Sequence, residues 1–204
     1  MATTAAPLPA RRSAGDDRIR GLVLVVGMVV VMWAVEVVDA LGAHLDANGI
    51  HPRDVGGLPD IAFAPFLHAG WGHLLGNTIP FLILGATIAL GGLARTVAVV
   101  VSVAVIGGLG TWLIGPAGTN HIGASGLVFG FAAYLVARGV FSRRLLHLGV
   151  GLLVLAIYGT TLLFSLIPHP GISWQGHLFG AIGGIVAARV LDARATRPPS
   201  RAAW

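Results

Sequence analysis

The chain contains no cysteine and no lysine, and little charge of either sign. Without cysteine, neither a disulfide framework nor a thiolate metal site can form. Without lysine, all thirteen basic residues are arginine. Only 10% of the residues are charged, against about 25% in a soluble domain. In place of charge the chain has 55% apolar residues and a mean hydropathy of +0.85. That composition reads as a multi-pass membrane protein embedded in a lipid bilayer. Basic charge then reports topology, and no nucleic-acid partner is expected. The first 20 residues are too polar for the apolar run of a signal peptide. They read as a disordered cytoplasmic tail. The 30 glycines suit close helix–helix packing. No sequence repeat is visible, so an inverted-repeat transporter gains little support.

A membrane span needs about 20 apolar residues. Six segments qualify: roughly 21–41, 67–90, 94–114, 122–137, 145–167 and 173–190. The expected fold is therefore all-α, a bundle of six transmembrane helices over 21–192. A cytoplasmic tail over 1–20 precedes it and another over 193–204 follows. Residues 42–66 hold Asp46, Arg53, Asp54, Asp60 and three prolines, and read as a long first loop. Its apolar Ile61, Phe63 and Phe66 suit the membrane interface. With both termini in the cytoplasm, twelve of the thirteen arginines lie inside and only Arg53 lies outside. This is a strong positive-inside pattern.

The same arrangement sets depths, since a helix rises about 1.5 Å per residue. Ser125 precedes Arg138 by 13 residues, His177 precedes Arg189 by 12, and Asn77 precedes Leu90 by 13. All three fall roughly 18–20 Å above the cytoplasmic boundary of a core about 30 Å thick. A polar loop must dip to meet the short fourth segment. Non-helical backbone at that depth needs protein or a water-filled cavity beside it.

Ser125 sits in the run Gly123-Ala124-Ser125-Gly126. Serine becomes a nucleophile when a neighbouring base takes its proton, and His177 can do so near neutral pH. Glycine on both sides lets a substrate backbone approach. Unpaired N–H groups in the first helical turn suit an oxyanion. The plainer reading of Ser125 is a helix-packing residue; His177 weighs the other way, because an intramembrane histidine is costly and functional by default. A third cluster runs from His68 to Asn77. His73 and Asn77 are four apart and share a helix face, from which both can donate to one point. The plainer reading makes His68 and His73 interfacial caps and Asn77 a helix-contact residue.

These three motifs together resemble those of the rhomboid intramembrane serine proteases. His68, His73 and Asn77 resemble the second-span motif, Gly-Ala-Ser-Gly the fourth-span nucleophile motif, and His177 with Gly180 and Gly184 the sixth-span motif. The resemblance covers roughly 21–192. It implies a serine endopeptidase with a Ser125–His177 dyad, acting on single-pass transmembrane substrates near the outer part of the bilayer. It implies an oxyanion hole from His73, Asn77 and the Ser125 N–H, with His68, Gly123, Gly126 and Phe129 in support. Gly180 and Gly184 would let the sixth helix pack tightly on the fourth. No cofactor and no metal are implied. Phe129 stands where some members have a tyrosine stacked on the histidine. The first loop lacks the tryptophan–arginine pair of some members. Pro168–Gly171 and the fifth span are candidates for a cap and a gate. Two rivals are a silent client-binding relative, which would typically lack the serine or histidine, and a metal site or transporter built from His68, His73, His121 and His177. The latter has no His-Glu-x-x-His motif and no nearby carboxylate.

Overall fold

A computed structural model describes residues 13–195 of the chain, with side chains described through Asp192. The elements are α1 (Ala14–Val38), a π turn at Asp39–Ala43, a 3-10 turn at Leu45–Asn48, the short α2 (Asp60–Phe63) and a 3-10 turn at Ala64–Phe66. Then follow α3 (Trp71–Ala89), α4 (Leu93–Ile114), α5 (Ser125–Ser142), α6 (Leu145–Phe164) and α7 (Trp174–Ala195). Among the described residues there is no strand beyond one isolated bridge, between Ile50 and His121. Five helices are long and apolar enough to cross a membrane. α7 is as long, but Gln175, His177, Arg189 and Asp192 dilute its apolar character.

Three boundaries differ most from those expected. The first helix begins at Ala14, within the stretch read as a tail over 1–20. Ser13 is the reason: its hydroxyl accepts the Asp16 N–H, and Asp16 and Asp17 place acid in the first turn. That arrangement caps a helix and complements its dipole. The fourth span runs to Ser142 rather than 137, because Arg138 extends the helix instead of ending it. α7 likewise continues to Ala195, past the expected end of the domain at 192. The rest of the two expected tails, 1–12 and 196–204, lies outside the described residues.

α5 occupies the centre, with α7, α6, α4 and α3 around it, and α1 packs on α3 and α4. Val25, Met32, Leu74, Phe81, Val99, Val103, Phe131 and Tyr134 fill the interior. The Phe81 and Phe131 rings meet at 5.2 Å. Leucine, valine and isoleucine also cover the outside, as on α6, where only Gly151 and Val154 are buried. A helix apolar all round is what lipid requires. The closest contact is between α5 and α7. A Cβ on Gly180 would overlap the Gly126 carbonyl, and one on Gly184 the Gly130 carbonyl. Only glycine lets the two backbones approach this closely.

At the opposite end from Ser125, Asp192 of α7 pairs with Arg95 of α4 at 3.2 Å, and Arg95 also donates to the Tyr134 hydroxyl of α5 at 2.7 Å. One buried carboxylate thus fastens three helices. The first loop is stitched to the end of α4. The Arg53 guanidinium donates to the carbonyls of Leu113 (3.1 Å) and Gly115 (2.8 Å). A cation at a helix C-terminus satisfies its last carbonyls and its dipole. Asp39 caps the turn after α1, accepting the N–H groups of Leu45 and Asp46.

Candidate active site

Ser125 is the first residue of α5. The loop before it can reach the helix because Gly123 adopts φ +111°, a conformation that L side chains avoid. Gly123 also lies flat against His73; a Cβ there would come within 2.7 Å of His73 Nε2. His68 anchors the next residue: its Nε2 accepts the Ala124 N–H at 3.3 Å.

Ser125 Oγ lies 2.9 Å from His177 Nε2. On the other side of the ring, His177 Nδ1 lies 2.9 Å from the Ser165 carbonyl. A carbonyl can only accept, so Nδ1 carries the proton and Nε2 is left as the acceptor for the serine hydroxyl. Phe129 stacks on the ring, with centroids 4.0 Å apart and planes 6° apart. Ser165 is a residue that sequence reasoning missed. It acts through a main-chain oxygen at the C-terminus of α6, and no side-chain pattern advertises that.

His73 and Asn77 stand on the facing helix, one turn apart. His73 Nδ1 accepts the Ala69 N–H at 3.3 Å, so its Nε2 bears the hydrogen. Asn77 spends one amide hydrogen on the His73 carbonyl, at 3.1 Å, and keeps the other. His73, Asn77, Ser125, Ser165 and His177 all line one cavity of about 970 Å³, together with residues 168–173 of the loop between α6 and α7. Ser125 also borders a second, smaller pocket of about 50 Å³, lined by Ile61, Ala64, Val103, Gly107 and Leu127. The structure therefore brings together Ser125, His177, His73, Asn77, Gly123 and Phe129. Gly126, Gly180 and Gly184 lie at the helix crossing behind them. His68 lies beneath the loop and contacts His73 edge-on at 5.1 Å. His121 lines both pockets. Among the described residues, no three His, Asp or Glu side chains gather as a metal site would require.

His68 carries a pH dependence. It is 1% exposed, and burial, with His73 nearby, pushes its imidazole down to about 4. The unfolded chain would bind the proton near pH 6.5. The folded state is thus fully favoured above that value and loses stability as the pH falls from 6.5 towards 4. The loss amounts to about 3 kcal/mol. Melting in detergent micelles at pH 7, 5.5 and 4 should show this loss, and the slope should be shallower in His68→Gln. Equal slopes would mean that His68 is not the group responsible.

A helical membrane bundle that sets a serine against a histidine across one cavity is the class of protein these observations define. The chain belongs to the rhomboid family: the family model described as the Rhomboid domain matches residues 56–194. That family is one of intramembrane proteases, and the chain is a multi-pass membrane protein. It is 48% identical over 174 residues to the uncharacterized protein Rv1337 of Mycobacterium tuberculosis, covering 81% of this chain and 72% of that one. It is 47% identical over 183 residues to the uncharacterized protein ML1171 of Mycobacterium leprae, covering 85% and 72%. A more distant relative, 32% identical over 121 residues and covering 59% and 60%, is the protein of Bacillus subtilis named "Putative rhomboid protease YdcA".

Proposed function

We propose that the chain is a serine endopeptidase that cuts transmembrane protein substrates within the bilayer, using Ser125 and His177 as a dyad. The observation that carries this reading is the 2.9 Å approach of Ser125 Oγ to His177 Nε2, with the histidine tautomer fixed by the Ser165 carbonyl. As Ser125 Oγ attacks the scissile carbonyl carbon, His177 Nε2 takes its proton. The imidazolium keeps its Nδ1 hydrogen on Ser165 and its face on Phe129. It then gives the Nε2 proton to the leaving amine, and the C–N bond breaks to leave an acyl-enzyme. Water, deprotonated by the same nitrogen, attacks the ester and frees Ser125. No carboxylate is needed, since a main-chain oxygen orients the base.

The oxyanion would be held by the Nε2–H of His73, the free amide hydrogen of Asn77 and the N–H of Ser125. Aimed donors of this kind stabilise charge that develops only in the transition state. Asn77→Ala is expected to lower kcat about 10²-fold with little change in KM. Steady-state cleavage in proteoliposomes measures both, and a rise in KM at constant kcat would assign Asn77 to substrate binding instead.

The substrate must unwind locally, because an intact helix protects its carbonyls. The small pocket beside Ser125 suits a small side chain next to the scissile bond. α6 packs chiefly on α5, which leaves it the freest wall for entry, and the 168–171 loop would act as the cap. The arginine distribution supports cytoplasmic termini and a site in the outer part of the bilayer. A fluorophosphonate probe tests the dyad. Folded wild type should be labelled, and Ser125→Ala and His177→Ala should not. Folded wild type that resists a probe shown to enter the cavity would move a non-catalytic, client-binding role to the front.

A further inference from the structure

The contact between Ser125 and His177 has a counterpart four residues earlier in each segment. His121 lies four residues before Ser125, and Ser173 four before His177. His121 Nδ1 and Ser173 Oγ are 2.7 Å apart. Both pairs join residues 52 apart in sequence, with the residue types exchanged.

The proton directions follow from the partners. The Thr119 hydroxyl donates its one hydrogen to the Pro116 carbonyl at 2.7 Å. It can therefore only accept from His121, whose Nε2 is 2.8 Å away. The neutral ring then has a lone pair on Nδ1 and accepts the Ser173 hydroxyl hydrogen. Ser173 Oγ in turn accepts the Gly176 N–H at 3.3 Å, and the Ser173 carbonyl accepts the His177 N–H at 3.1 Å. Both hydroxyls donate once and accept once. The result is one directed chain of hydrogen bonds from the first turn of α7 to the loop before Ser125. His121 is held from the other side as well: its N–H and carbonyl exchange bonds of 3.0 and 2.9 Å with Ile50 of the first loop.

A single hydrogen bond between two segments leaves them free to pivot about it. A second bond, four residues along each segment, removes that pivot. We propose that His121 and Ser173 are positioning residues, whose hydrogen bond clamps the Ser125 loop to the first turn of α7 and so sets the approach of Ser125 to His177. This rests on the dyad reading above. His121 and Ser173 act through the backbones that carry the dyad. They also form part of the wall shared by the two pockets.

The test is the rate of fluorophosphonate labelling of the purified full-length chain in micelles, measured well below the melting temperature of each variant. Ser125→Ala serves as the blank. His121→Ala and Ser173→Ala are each expected to slow labelling about 10-fold, since a small misplacement of a reacting atom is costly. The double variant should be no slower than the slower single, because both remove the same bond. Ser173→Thr keeps the hydroxyl and should label within about twofold of wild type. Single variants at the wild-type rate, or losses that multiply in the double, would overturn the clamp. If an alanine variant does not fold, His121→Gln, which keeps a donor and an acceptor, is compared with His121→Leu. Faster labelling of the glutamine variant supports the clamp, and equal rates overturn it. Wild type that is not labelled would overturn the dyad reading and the clamp with it. Wild type labelled at Ser125, with every variant unaffected, would overturn the clamp alone.

Discussion

Ser125→Ala is expected to lower cleavage of a single-pass transmembrane substrate by about 10⁴-fold, and His177→Ala by a similar factor. The reason is chemical. Alanine has no oxygen to form the acyl-enzyme. Without the imidazole, the serine keeps its proton and stays a weak nucleophile. The two losses should not multiply: the double variant should be about as slow as either single one, because the pair works as a unit. Both side chains touch only a few groups, so the fold should survive. Ser125 Oγ loses its bond to His177, while His177 keeps Ser165 and Phe129. Turnover in proteoliposomes, alongside melting temperature, measures the effect. Cleavage by a folded Ser125→Ala variant at even a tenth of the wild-type rate would remove Ser125 from the mechanism.

The next largest effect is expected from adding a side chain between α5 and α7. Gly184→Val should destabilise the bundle by about 3 kcal/mol and slow Ser125 labelling by about 10²-fold. A Cβ at position 184 would overlap the Gly130 carbonyl and come within 2.9 Å of the Tyr134 nitrogen. Both are backbone atoms within a helix, so neither can turn aside as a side-chain tip could. The helices must separate, and Ser125 and His177 lie on opposite sides of the gap that opens. Gly149→Ala is the matched control. Nothing lies within 4 Å of a Cβ at that position, and stability and labelling should be unchanged. Melting curves and labelling rates for the two variants check both halves. A Gly184→Val variant with normal stability would mean that the crossing is looser than its geometry implies.

Hydropathy alone was enough to read an all-α membrane bundle. Each span has to satisfy its own backbone in lipid, so a long apolar run leaves helix as the one local solution. The element ends were less legible. Capping at Ser13 drew the first helix seven residues towards the N-terminus of its expected start, and Arg138 did not stop the fourth span. Both are local choices made by single side chains that an averaged apolar signal does not register.

The candidate site residues were legible one at a time, through the cost of polar groups in an apolar run. Histidine, asparagine and a glycine-flanked serine stand out against valine and leucine. The depth count further suggested that Ser125, His177 and Asn77 share a level. What the sequence by itself determined was therefore the long apolar helices and which polar residues are costly enough to need a purpose. The tertiary structure decided which atoms face each other. The Ser165 carbonyl sets the tautomer of His177, and a main-chain oxygen leaves no trace in residue types. His121 and Ser173 meet across 52 residues, and each looks ordinary in its own loop. The closeness of α5 and α7 depends on Gly126 and Gly130 opposing Gly180 and Gly184. Glycine content says that helices can approach, but only the register of one helix on another says where.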